Sequence, residues 1–351
     1  MYFGHAEFIN SIVLNKLGLM VKMKVLITGA SGFIGRFLVE EALQRGFEVW
    51  AGVRTTSSLK YLPEEKIRRI DLKYHDSEAL SIQLTEHVRL YGAWDYVIHN
   101  AGLTKATRQS DFFMVNAEYT KRLLAALSQP DCRPKKFLLM SSLSTFGGGN
   151  KKTLAPIRLD DPQKPDTVYG KSKLSAEEYV REQTSFPYVI LRPTGVYGPG
   201  DKDYGMEIES IRSGFDFAAG LKPQYITFIY VKDLAKVAFQ ALEKEDVQNI
   251  AYFVADGDVY TDTQFACMIQ EILLKKHVFR ARIPLWLVYI VCLCSEGTGR
   301  ITGKPKTLNT DKYKILKTRN WICDTEPLRK ELGFTPMYNL RKGLEETLAS
   351  Q

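Results

Sequence analysis

The sequence predicts a doubly wound α/β fold, a parallel sheet with helices on both faces (a Rossmann fold), joined to a smaller C-terminal lobe. Three observations carry that expectation. Short apolar runs alternate with amphipathic stretches of helical length, the pattern of a sheet buried on both sides. The first run, residues 25–28, leads directly into Gly29-Ala30-Ser31-Gly32-Phe33-Ile34-Gly35 and then into a helical repeat. After Pro193 the alternation loses its rhythm, as expected where a second lobe begins.

The elements follow in order. Ile34, Phe37, Leu38, Ala42 and Leu43 recur at helical spacing, and Gly46 is placed to end that helix. Strands are expected at 49–53, 66–72, 96–99 and 137–141, with helices at 77–90 and 112–127 between them. Residues 147–166 hold clustered glycines, prolines and charges and read as a long loop beside a site. A helix at 168–183 and a strand at 188–191 follow. A helix at 231–242 and a strand at 251–255 look like returns to the sheet, so the lobes are interwoven. The expected organisation is an N-terminal extension at 1–22, a dinucleotide-binding domain at 23–199 with returns near 228–256, and a mainly substrate-binding lobe at 200–351.

Composition narrows the function classes. The chain has 351 residues, 45% apolar and 25% charged, with a formal net charge of +8. No run reaches the roughly 20 apolar residues that span a bilayer; the longest, 283–294, is too short. Residues 1–22 are apolar but lack the charged start and small-residue cleavage site of a signal peptide. The five cysteines are scattered without the spacing of a zinc site or disulfide frame, and the odd count fits a reducing cytoplasm. The five histidines are equally dispersed, so no metal is expected. The basic balance favours an anionic partner, which a phosphate-bearing cofactor or a membrane surface would satisfy. No nucleic-acid-binding signature is present, and no nucleic-acid partner is expected.

A glycine-rich turn between strand and helix lets backbone approach a pyrophosphate and aims the helix N-terminus at it. The turn at Gly29, Ser31, Gly32, Phe33, Ile34 and Gly35 sits in that context, so a dinucleotide is expected there. An NAD-preferring fold places a carboxylate at the end of the second strand. Here Val53 stands there, followed by Arg54 and several hydroxyls. A guanidinium suits a 2′-phosphate, so NADP(H) is favoured over NAD(H).

Tyr169 and Lys173 are four residues apart at the start of a helix and share one face. An ammonium beside a phenol, with an oxidised nicotinamide, favours the phenolate and moves the phenol toward acid/base duty. Ser142, in the serine-rich stretch leaving the fifth strand, is placed to hydrogen-bond a substrate oxygen beside Tyr169.

With these motifs assembled, the chain resembles the extended short-chain dehydrogenase/reductase superfamily, from about Lys24 to near the C-terminus. The resemblance rests on residues 28–35, Asp71-Leu72, Asn100-Ala101-Gly102, Ser142, Tyr169 to Lys173, and residues 192–199, Arg-Pro-Thr-Gly-Val-Tyr-Gly-Pro. It implies that Asp71 contacts adenine and that Leu72, Ala101 and Gly102 border the cofactor. It also implies that Lys173 binds the nicotinamide ribose and tunes Tyr169, that Ser142 polarises the substrate oxygen, and that Pro193 and Thr194 pack near the nicotinamide. Asn116 resembles the family's helix-distorting asparagine.

Within that superfamily, sugar-nucleotide enzymes usually carry asparagine where this chain has Gly195 and an arginine near Ile226. Both departures argue against a sugar-nucleotide substrate, while Val53-Arg54, residues 192–201 and the apolar run 284–294 are similar to the hydroxysteroid-dehydrogenase and dihydroflavonol-reductase branch, whose substrates are apolar ketones and alcohols. A sugar-nucleotide epimerase or dehydratase with tightly held NAD is the first alternative; a non-catalytic NAD(P)-sensing module is the second. The apolar run 284–294, preceded by Lys275, Lys276, Arg280 and Arg282, is expected to pack in the core of the small lobe. Lining a lipid pocket or resting on a membrane are its other readings, and a homodimer is left open.

Overall fold

The computed structural model describes residues 22–303 and 306–350. The extension expected at 1–22 therefore lies outside the described residues, except for Lys22. Strands β1 (Lys24–Thr28), β2 (Glu48–Gly52), β3 (Ile67–Ile70), β4 (Tyr96–His99), β5 (Lys136–Met140) and β6 (Tyr188–Pro193) build the central sheet. A late return, β11 (Ile250–Val254), completes it in the order β11-β6-β5-β4-β1-β2-β3. Every pair is parallel. The winding reverses between β1 and β4, which opens a crevice at the C-terminal strand ends.

Helices α1 (Phe33–Gln44), α2 (Ser77–Tyr91), α4 (Val168–Glu182), α5 (Asp203–Arg212) and α6 (Val231–Glu243) are regular. Helix α3 is composite: Gln109–Phe113 runs through a π-helical turn, Met114–Glu118, into Tyr119–Leu127. It begins one turn before the apolar repeat indicated, because residues 109–111 are polar and leave no periodic mark. Strand alternation sorts the core into two layers. Val25 and Ile27 pack with Phe37 and Leu38 of α1 and Val237 of α6. Leu26 faces the other way, toward Leu84 of α2, Leu123 of α3 and Val180 of α4.

The β2–β3 connection carries only a 3-10 turn, Glu64–Lys66, where a crossover helix would ordinarily lie. The flank of α1 is left open there as a concavity of about 1090 Å³ lined by Phe37, Phe47, Tyr61 and Arg68. It is remote from the strand ends where the candidate chemistry gathers.

The smaller lobe pairs β7 (Gly195–Tyr197) with β10 (Phe228–Tyr230), and β8 (Phe215–Ala219) with β13 (Phe279–Ile283). Strand β9 (Tyr225–Ile226) lies between β12 (Tyr260–Thr261) and β14 (Asn320–Trp321). Helices α7 (Asp262–Ile272) and α11 (Leu340–Ala349) join α5 around Tyr197, Phe228 and Phe265. Helix α10 (Glu326–Leu332) turns back to the large sheet, where Leu328 and Leu332 pack.

One expectation is overturned. The apolar run forms the first half of α8 (Leu285–Thr302), but it is not packed in the core. Trp286 is 65% exposed, Leu287, Tyr289, Ile290, Val291 and Leu293 are exposed too, and within Leu285–Cys294 only Cys292 is fully buried. The physical reason is that the run is apolar on every face, while the body of the protein meets it along one side. Tyr289 touches Tyr313 of α9 (Thr310–Lys317), and Leu285 lies over Gly220.

Candidate active site

The site grows from the glycine turn. Gly29 adopts φ +65°, and a Cβ there would stand 2.8 Å from the Ala101 Cα. A Cβ on Gly35 would fall 2.1 Å from the Gly29 carbonyl oxygen. Side chains are thus excluded from both positions, and β1, the turn and α1 close together. No side chain caps α1, and its first turn holds no acid. Its free N–H groups and positive dipole end face the crevice, which fits a pyrophosphate. Ser31 is half-buried in this turn, Phe33 meets Phe37 edge-on, and Ile34 packs against the core beneath.

A buried relay ties the turn to α4. The Thr28 hydroxyl accepts from the Ala101 N–H (3.0 Å) and meets His99 Nδ1 at 2.9 Å. His99 Nε2 lies 2.9 Å from the Thr120 hydroxyl, whose single hydrogen goes to the Asn116 carbonyl. Nε2 must therefore be a donor, and in the neutral ring that burial favours, Nδ1 accepts from the Thr28 hydroxyl. Burial, with Lys173 adding to it, pushes His99 down to about 3. Asn116 sits in the π-helical turn. Its amide accepts from the Leu103 N–H (2.7 Å) and donates to the Ser172 hydroxyl (2.9 Å), which in turn donates to the Tyr169 carbonyl.

Ser142, Tyr169 and Lys173 converge at the ends of β5 and α4. Ser142 opens a 3-10 turn, Leu143–Thr145, and accepts from the Ser144 N–H. That turn lies so close to α4 that a Cβ on Gly170 would stand 2.3 Å from the Ser144 carbonyl oxygen. The glycine after Tyr169 is what lets Ser142 reach the phenol. Burial pushes Tyr169 up to about 12, and a hydrogen bond with Ser142 works against that rise. The lowering expected from Lys173 is not produced by the chain alone: burial of the phenol dominates, opposed only by Ser142. Burial brings Lys173 down to about 8, opposed by Glu177. Its Nζ lies 3.7 Å from where a Gly102 Cβ would be, so it faces the end of β4.

The sequence pattern of the NAD dependent epimerase/dehydratase family matches residues 25–255. The chain belongs to that family. A sterol-4-alpha-carboxylate 3-dehydrogenase, decarboxylating, of Dictyostelium discoideum is 25% identical over 342 residues, 92% of this chain and 99% of that protein. A UDP-glucose 4-epimerase of Vibrio cholerae is 25% identical over 334 residues, covering 92% of this chain and 94% of its own. In three dimensions, a UDP-glucose 4-epimerase of Thermotoga maritima with UDP-glucose superposes with TM-score 0.73 at 21% identity, over 93% of this chain and 98% of that one. This epimerase/dehydratase chain is thus an NAD(P)-dependent enzyme with relatives in two substrate classes.

Two positions bear on that division. A Cβ on Gly195 would stand 2.4 Å from the Tyr204 hydroxyl and 3.0 Å from the Phe228 ring, so this place holds no room for an amide. Ile226 packs against the apolar cluster of the smaller lobe. At the other end of the crevice Arg54 is exposed at the end of β2, and the Asp71 carboxylate accepts from the Thr55 N–H (2.9 Å), holding the loop that carries Arg54. Leu72 is buried beneath. Pro193 ends β6, and the Thr194 N–H donates to Val254 (3.2 Å) across to β11.

Sequence reasoning missed two residues. Glu177, one turn beyond Lys173, is fully buried and accepts from Arg192 (3.0 and 2.8 Å), Arg181 (2.6 Å), Ser141 (2.5 Å) and Gln163 (3.0 Å). Its four-residue spacing from Lys173 was the available signal. Asp311 comes from α9: it accepts from the Val168 N–H (2.7 Å) and lies 3.4 Å from the Tyr169 nitrogen, while Thr167 takes the Gly170 N–H. Nothing local in the sequence announces that cap.

The desolvated lysine makes a stability prediction. Its folded pKa is depressed from 10.5 to about 8, so below pH 8 the fold carries a buried ammonium at a cost of about 3 kcal/mol. Between pH 8 and 10.5 the unfolded chain binds a proton the folded chain has released, and stability rises with pH across that window. Lys173→Met is expected to gain about 3 kcal/mol in urea unfolding at pH 7 and to lose the rise, while turnover collapses. A variant no more stable than the parent would show that the ammonium is not desolvated.

Proposed function

We propose that the chain is an NADP(H)-favouring reductase of an apolar, lipid- or steroid-like ketone, working also in the reverse, alcohol-oxidising direction. The observation that carries the substrate class is the filling of the Gly195 space by Tyr204 and Phe228, with Ile226 turned into an apolar cluster. A diphosphate would find neither amide nor guanidinium there, and such charge-assisted contacts are the strong ones.

When bound, the dinucleotide supplies the hydride. The uncapped end of α1 and the glycine turn hold its phosphates, Arg54 takes a 2′-phosphate, and Asp71 and Leu72 border the adenine. Ala101, Gly102, Pro193 and Thr194 border the nicotinamide end. Ser142 and Tyr169 donate hydrogen bonds to the ketone oxygen and localise the charge that grows on it. Tyr169, kept protonated by burial, gives its phenolic proton to that oxygen. Lys173 faces the ribose and supplies positive charge as the phenolate forms.

Initial rates on a panel of steroid and short-chain ketones, with NADPH and with NADH, test this reading. The expected result is faster turnover with NADPH, and an Arg54→Ala variant that raises KM for NADPH by about 10–100-fold while leaving NADH unaffected, as loss of a charge-assisted contact worth about 1.5–3 kcal/mol requires. Tightly bound NAD near one per chain, with UDP-sugar turnover and no ketone reduction, would overturn it.

A further inference from the structure

We propose that the apolar half of α8, together with the β8/β13 ribbon, docks on an anionic lipid bilayer, and that α8 leads apolar substrate from that surface to Tyr169. The second part rests on the function proposed above; the first does not.

Leu285–Cys294 carries no charge in ten consecutive residues. At 1.5 Å per residue it is about 15 Å long, half of a ~30 Å hydrocarbon core. No helix among the described residues is long and apolar enough to cross a membrane. The dimensions suit a helix lying in one leaflet's interface, with Trp286 and Tyr289 at headgroup depth. The ribbon that leads into it matches. Parallel register sets Phe279 opposite Phe215 and Ala281 opposite Phe217, so one face carries three exposed rings, while Asp216 and Arg280 pair at 3.1 Å. Leu285, lying over Gly220, joins ribbon to helix, and Leu221 beside it is 72% exposed. Soluble monomers rarely leave so continuous an apolar surface uncovered.

Charge selects the occupant. The acids around the patch are already held: Asp216 by Arg280, Asp262 by Arg282 and Glu271 by Arg341. Lys222, Lys275 and Lys276 stand exposed at its rim, and Leu274 projects between α7 and these lysines at 87% exposure. An anionic headgroup layer neutralises such a rim. A second copy of this chain, docked symmetrically, would bring like charges together. The far half of α8 runs on to the site: Glu296 and Gly299 border a small, largely polar recess of about 60 Å³ with Phe112, Val168 and Asp311, and Phe112 meets the Tyr169 ring at 6.4 Å.

The test is flotation of the full chain with vesicles of phosphatidylcholine alone and with roughly one third phosphatidylserine. The expected result is binding to the anionic vesicles, loss of at least tenfold in affinity for Trp286→Glu/Ile290→Glu, and about fivefold loss per lysine for Lys275→Glu and Lys276→Glu. Both sets of variants are on the surface and are expected to reduce a short, water-soluble ketone as the parent does. No binding to anionic vesicles would overturn the proposal, as would equal binding by the double variant. So would a dimer, seen by light scattering, that the double variant dissolves while the parent ignores vesicles. Vesicle binding without any ketone turnover would sink the proposed function and leave the docking surface standing.

Discussion

Tyr169→Phe is expected to lower ketone turnover by about 10²–10⁴-fold while dinucleotide affinity stays essentially unchanged. The substitution removes the hydroxyl that gives up the proton and leaves the ring, which packs against Phe112 at 6.4 Å. It also frees Ser142 from the hydrogen bond that opposes the upward push of burial on the phenol, so the fold loses one modest contact and keeps its packing. The pH dependence of the parent sharpens the result. Below about 8 Lys173 is charged and above it neutral, so activity is expected to fall on the alkaline side with Lys173 as the controlling group. His99 is pushed down to about 3 and contributes no neutral-range step. A Tyr169→Phe enzyme that retains turnover would end the proton-transfer assignment.

Glu177→Leu is expected to cost about 3–5 kcal/mol of stability. Burial opposes ionisation of this carboxyl, yet the Arg192 guanidinium, with the Ser141 hydroxyl and Gln163 amide, holds it below the usual carboxylate range. Its stabilisation is therefore present above the unfolded carboxylate pKa and is lost as pH falls through the lower folded value. Removing it strands Arg192, which lies buried between the Phe146 and Phe253 rings. The loss reaches function as well, because the same carboxylate joins α4, the end of β5 through Ser141, and β6 through Arg192. Those three elements carry Tyr169, Ser142 and Pro193. Adding Arg192→Met to Glu177→Leu is expected to restore most of the stability, since the isolated buried charge is the costly species. Chemical denaturation of the single and double variants measures both effects; a single variant within 1 kcal/mol of the parent would show the pair to be dispensable.

What the sequence made legible is local. Apolar runs marked the inner strands of the large sheet to within a few residues, because a doubly buried strand must be apolar throughout, whereas the edge strand β3, Ile-Arg-Arg-Ile, is exposed at both arginines. The glycine turn, Tyr169, Lys173 and Ser142 were legible because their spacing is itself the geometry of a turn or a helix face. Three things were not. Asp311 caps α4 from a separation of 142 residues, and no local pattern encodes a partner that distant. The absence of a side chain at Gly195 had no visible physical cause until Tyr204 and Phe228 were placed against it. The run within α8 was misread because apolar character on every side looks the same in sequence whether neighbours cover it or nothing does.

The cap supplied by Asp311 has a consequence during synthesis. Every residue named in the proton transfer lies at or before Lys173, yet the first turn of their helix is completed only by a carboxylate 142 residues after Tyr169. The sheet itself is complete only with β11 at Val254, and at ribosomal rates of about 5–20 residues per second the chain from there to Asp311 takes roughly 3–11 s. A nascent chain therefore completes the large sheet a few seconds before the N-terminus of α4, which carries the proposed acid/base group, is capped. On the proposed assignment, the cofactor cradle and the acid/base helix are finished at different moments by the order in which the polypeptide is made.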